Sequence, residues 1–140
     1  MTSPHVVIRT SRLPRPVGYN HGILAESGRT LHIAGQVGVD RDGVVVAGGV
    51  VAQFDAAAAN VAAVLEAADA APEHLVSMQI FVTDVVAYRE ASQQIGEAYR
   101  RHFGGHYPAV SLVEVTGLFR PELLVEIASI AVIPVDRAGR

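Results

Sequence analysis

Glu126 is the first residue of this 140-residue chain to ask for a chemical explanation. It stands in Leu-Leu-Val-Glu-Ile-Ala, an otherwise apolar run. A carboxylate in such a run is costly to bury without a partner, a proton or a function. Burial would raise its pKa and suit it to proton transfer near neutral pH, whereas an arginine or a backbone amide would make it structural. Glu114, flanked by Val113 and Val115, faces either a ligand or solvent by strand alternation. Tyr19 follows Gly18 and either presents its hydroxyl from a loop or packs against a neighbouring chain. His21, close by, is the one of six histidines placed for acid–base work beside it. Gly35-Gln36 follows a buried run, where glycine lets a ligand approach backbone amides and a strand-end turn is the plain alternative. Ser111 offers a hydroxyl next to these groups, but no histidine and aspartate accompany it in a nucleophile's arrangement.

The missing residue types remove whole chemistries. There is no cysteine, so no thiolate nucleophile, disulfide or zinc–thiolate site is available. All eleven basic residues are arginine, which leaves no lysine for a Schiff base. The net charge of −3 argues against a nucleic-acid footprint. The histidines show no metal-ligand spacing beyond His102 and His106, which are separated by Gly104-Gly105, so no metal and no cofactor is expected. No apolar run approaches the ~20 residues of a membrane span, and no signal pattern opens the chain, which favours the cytoplasm. Yet half of the residues are hydrophobic, only 18% are charged and mean hydropathy is +0.30. Apolar surface of that extent without a membrane segment predicts burial between subunits, hence an oligomer.

Positioning those groups requires a sheet and helices. Val6-Val7-Ile8 reads as a short strand. Ile23–Glu26 and Thr30–Ala34 read as a hairpin about Ser27-Gly28-Arg29. Gly35 to Gly49 is loop-like. From Val50 the period changes: Val51, Phe54, Ala58, Val61, Leu65 and Ala68 recur every three or four residues, the stripe of a helix on a sheet. Leu75–Thr83 is a strand by content. A single second helix is predicted over Val86–Phe103, with Tyr88, Ala91, Ile95, Tyr99 and His102 on one stripe, ended by Gly104-Gly105. Arg100 and Arg101 near its end complement the helix dipole. Ala109–Val115 and Leu123–Ile133 are the last strands, the final one apolar on both faces and so central. The whole is one α+β domain over residues 1–140, a mixed sheet with two helices on one face.

Several segments in order resemble the RidA/YjgF family of small proteins that handle imines and enamines, whose members also carry the name endoribonuclease L-PSP. They are Val17-Gly18-Tyr19-Asn20-His21-Gly22, Leu31-His32-Ile33-Ala34-Gly35-Gln36-Val37-Gly38, Gln53 with Asn60-Val61, Phe81-Val82-Thr83-Asp84, Tyr107-Pro108-Ala109-Val110-Ser111-Leu112-Val113-Glu114-Val115, and Val125-Glu126-Ile127. The resemblance covers about residues 14–133. It implies a chorismate-mutase-like fold assembled as a homotrimer with ligand clefts between adjacent subunits. It further implies a tyrosine at Tyr19 and a glutamate at Glu126 that position water and the imine. In the family's deaminases an arginine after Pro-Ala grips the substrate carboxylate; here that position is Val110.

An arginine offers a planar, permanently charged fork that fits a carboxylate, and valine offers only apolar bulk. Losing such a pair costs about 2–5 kcal/mol. Leu112, on the same strand face, extends the apolar wall. Val110 is therefore expected to retune the cleft from small carboxylate-bearing imines to a neutral or apolar ligand, unless another arginine enters. Two functions follow from these residues. One is a cofactor-free enzyme that transforms an imine or enamine, or a related reactive small molecule. The other is a non-catalytic trimer binding a small molecule or a partner. Ribonuclease activity fits worst, because an acidic chain without lysine lacks phosphate-binding charge.

Overall fold

Strand β6 (Val125–Pro134) has cross-strand partners on both sides, and the sheet is built outward from it. The computed structural model describes residues 2–135. Before β6 come β1 (Val6–Ile8), β2 (Gly22–Leu24), β3 (Gly28–Val37), α1 (Gly49–Ala67), β4 (Leu75–Val82), α2 (Val85–Glu90), α3 (Ser92–Phe103) and β5 (Ala109–Glu114), with a 3-10 turn at Pro72–His74. The main sheet has the order β3-β6-β4-β5. Its β3–β6 and β6–β4 pairs are antiparallel and its β4–β5 pair is parallel, while β1 and β2 form a separate antiparallel ribbon. The fold is α+β with a mixed sheet, as the alternation of periods predicts.

One face of the sheet is covered by helices. Phe54, Ala57, Ala58, Val61 and Leu65 of α1 are almost fully buried and join Ile33, Met78, Ile80, Ile127 and Ala131 of the strands. Ile95, Ala98, Tyr99 and Phe103 of α3 complete this core. Burying a large apolar side chain contributes about 1.5–3 kcal/mol, more than the few tenths per residue that separate helix propensities. Packing therefore outweighs the alanine run in holding α1. By length and composition α1 is long and apolar enough to cross a membrane, but its buried stripe is the core of this fold. Two polar side chains on α1 act as clamps. Gln53 donates to the Glu122 carbonyl and accepts from the Leu124 amide, while Asn60 donates to the carbonyls of Val37 and Val39. At Gly38 a Cβ would lie 2.6 Å from Gln53 Cβ, so only glycine lets the end of β3 pass this close to the helix.

The other face carries Phe81, Glu126, Ala128 and Ile130, none of them fully buried in the single chain. It is the second apolar face expected of β6, without a cover from its own chain.

Three elements depart from the sequence reading. The hairpin about Gly28 does not form: β2 pairs with β1, and β3 pairs with β6. Gly28 is the first residue of β3 rather than a turn residue, and the space of its missing Cβ is taken by the Ile133 carbonyl. Next, β3 does not stop before Gly35. A bulge between Ile33 and Gln36 absorbs the irregularity, and pairing resumes at Gln36–Ile127 and Val37–Glu126. Finally, the second helix is two. It breaks at Ala91 (φ −94°, ψ 11°), so that α2 is a six-residue helix with its own caps. The Ala87 amide donates to Asp84 Oδ1 at 3.0 Å and the Val85 amide to Glu114 Oε1 at 3.0 Å.

Candidate functional site

Register decides which of the candidate residues meet. Val110 and Leu112 stand beside Met78 and Ile80 of β4, on the helix-covered face. There they border an open-sided cavity of about 670 Å³ lined by β4, β5, α2, α3 and the loop bearing Gly18 and Tyr19. Tyr88, Tyr99 and Tyr107 join Tyr19 in its wall, so all four tyrosines of the chain converge on one space. Tyr99 and Tyr107 stack at 4.9 Å with an interplanar angle of 9°, and the Tyr99 hydroxyl donates to the His106 carbonyl at 2.7 Å. Burial pushes the Tyr88 phenol up to about 12, and burial followed by Tyr107 pushes Tyr99 higher still. Both are hydrogen-bond donors at neutral pH.

The remaining candidates lie elsewhere in the single chain. Glu126 is half-buried on the uncovered face, between its cross-strand partners Val37 and Phe81. Its carboxylate rests on Gly35, where an added Cβ would come within 2.6 Å of Cδ. Gly35 therefore opens a niche for this carboxylate. The Gln36 side chain donates through Nε2 to the Ala34 carbonyl across the bulge. Ser111 is exposed, in register with Gln79 on the uncovered side, and shares a shallow depression of about 260 Å³ with His21 and Tyr19. His21 Nε2 lies 2.8 Å from the Pro14 carbonyl, and its ring meets Tyr19 edge-on at 5.2 Å, which braces the tyrosine from behind. Glu114, in parity with Val110, is drawn to the α2 amide rather than to the cavity. Thus Tyr19, Val110 and Leu112 form one group and Glu126 with Gly35 another, on opposite sides of the sheet.

Arg100 was assigned to the helix dipole from the sequence, and here it also lines the tyrosine cavity. Among the described residues it is the one charged side chain that does. Its guanidinium lies over Gly96, where a Cβ would sit 3.3 Å from Nη1. Arg101 and His102 turn away to Asp55, at 3.0 and 2.8 Å. Burial opposes ionisation of Asp55, but the hydrogen bonds from His102 and Arg101 outweigh it and hold the carboxyl below its usual range. The signal that marks Arg100 in the sequence is Gly96 itself. A glycine in mid-helix costs about 1 kcal/mol against alanine, and it lies one turn before the arginine.

The sequence profile of a family described as Endoribonuclease L-PSP matches residues 10–133. The chain belongs to the RidA/YjgF family. It is 33% identical over 127 residues to a RutC family protein of Drosophila melanogaster, covering 89% of this chain and 87% of that one. It is 33% identical to the mouse (Mus musculus) 2-iminobutanoate/2-iminopropanoate deaminase over 128 residues, 90% of each chain. Among solved structures, the Rid-family protein YyfB of Yersinia pestis superimposes with a TM-score of 0.83 at 33% identity, over 92% of this chain and 98% of that one. The Gln53 and Asn60 cues that carried the resemblance to this Rid family are the α1 clamps, so part of what marks the family is structural.

Proposed function

We propose that this Rid-family protein transforms an imine, an enamine or a related reactive small molecule, without a cofactor, in the cavity beside β5. The observation that carries this reading is the convergence of Tyr19, Val110 and Leu112 with three further tyrosines on one cavity. Its volume is within the range of small-molecule sites. The C=N carbon is already electrophilic. Water adds to that carbon, the nitrogen takes a proton, and the resulting carbinolamine collapses to a carbonyl compound and ammonia. The Tyr88 hydroxyl, which stays protonated, can donate to the nitrogen or hold the attacking water, whereas that of Tyr99 is committed to the His106 carbonyl. Val110 and Leu112 meet the ligand with apolar surface, so the ligand is apolar at that end. Glu126 lies on the face opposite Val110 and takes part only where assembly brings it to an adjacent chain's cavity. We therefore propose a homotrimer. The apolar, uncovered sheet face and two exposed side chains, Val17 at 84% and Phe119 at 98%, support self-association.

A steady-state assay tests the reading, with imines generated by an amino acid oxidase and trapped competitively with semicarbazide. The protein is expected to hydrolyse imines from leucine or phenylalanine at least tenfold faster than 2-iminopropionate. Val110→Arg is expected to raise the rate on 2-iminopropionate by at least tenfold, and Glu126→Gln to lower turnover of every imine. Fast hydrolysis of 2-iminopropionate by the unaltered protein would refute the role given to Val110. Inertness toward every imine, with binding retained, favours the second reading of a binding trimer, which the loss of the β5 arginine supports.

A further inference from the structure

We infer that Arg100 is the anion-reading residue of the tyrosine cavity, and that its ligand is an amphipathic acid. The inference rests on the assignment of this cavity as the functional site, and it replaces the neutral ligand expected from Val110 with one that keeps an acid group at the end away from β5. The cavity wall is mostly tyrosine and aliphatic side chains, with Ser92, Gln93 and a single guanidinium on the helix side. No carboxylate lies within 4 Å of Arg100 among the described residues, in contrast to Arg101, which is held by Asp55. A cation left without a partner beside an aromatic cavity attracts an acid group, and the guanidinium presents paired donors that match a carboxylate.

The helix is shaped for this placement. Gly96 leaves room beneath the guanidinium, since an alanine there would press on Nη1 at 3.3 Å. Val110 and Leu112 come from the strand and Arg100 from the helix, so apolar body and charge are read by different elements. The acid group is then bound away from the β5 wall.

The absence of tryptophan and the gathering of all four tyrosines make tyrosine fluorescence a direct reporter of occupancy. The experiment titrates the full chain with 4-methylpentanoate and with its uncharged isostere 4-methylpentanamide, neither of which absorbs with tyrosine. The acid is expected to bind at least tenfold tighter than the amide. Arg100→Met keeps an apolar stem without the charge and should abolish that preference, with acid affinity falling at least tenfold more than amide affinity. Arg100→Lys should restore part of it, and Gly96→Ala should weaken acid binding alone. Equal binding of acid and amide by the unaltered protein overturns the inference, as does a preference that survives Arg100→Met or no binding of either compound. An acid preference lost in Arg100→Met, in a protein inert toward imines, upholds Arg100 and rejects the catalytic reading. Imine hydrolysis without any acid preference does the reverse.

Discussion

Ser129 shows at the scale of one residue how the same strand can be both core and liability. Its Oγ is buried between the cross-strand partners Ile33 and Met78, with no hydrogen-bond partner among the described residues. An unpaired buried hydroxyl is destabilising, so Ser129→Ala is expected to raise stability by about 1 kcal/mol in urea melts. A loss of stability would mean that the hydroxyl has a partner in the folded protein. Glu126 and Arg100 make the opposite case, since each charged group rests on a glycine that leaves it room. The type of Glu126 and its apolar surroundings were legible in the sequence. Its separation from Val110 was not, because parity along two different strands says nothing until the register between them is known.

At the scale of elements, short pieces are held by side-chain hydrogen bonds rather than by burial. The 3-10 turn Pro72–His74 is one: the Ala71 amide donates to His74 Nδ1 at 3.0 Å. Burial, with His5 and His106 nearby, lowers the pKa of His74 against the opposing pull of Glu73. The folded state therefore binds this proton less readily than the unfolded state. Stability is complete above about pH 6.5, the unfolded value, and falls as pH drops from there through the lower folded value. The loss has a structural cause, because protonated Nδ1 cannot accept from Ala71. Urea melts at pH 7.5 and 5.0 should show a decline that His74→Gln reduces; an identical decline in the variant would assign it to other groups. The stripes of α1 and of Tyr88–Tyr99 were readable from spacing, since helical periodicity is local. The break at Ala91 was not, because an alanine at φ −94° and ψ 11° ends α2 and begins α3 with no glycine, proline or capping side chain to mark it.

The whole molecule leaves one sheet face bare. Ile130, in register with His32 and Ser77, lies on that face and is only half-buried within its own chain. A glutamate there would be tolerated by a monomer and rejected by an apolar subunit interface. Ile130→Glu is therefore expected to convert the proposed trimer to monomers in sedimentation velocity with the helix content retained. An unaltered sedimentation coefficient in the variant would move the interface elsewhere. The same mutation bears on catalysis, because a cavity that relies on Glu126 of an adjacent chain loses activity when the chains separate.

The sequence by itself determined the α+β class, the central place of β6 and the family. Each depends on composition, short-range periodicity or local motif. Only the tertiary structure decided that β2 joins β1, that Glu126 and Val110 occupy opposite faces, and that Arg100 stands at the tyrosine cavity. Those outcomes depend on strand register and on how α3 lies against β5, which are set by long-range packing that no local pattern encodes.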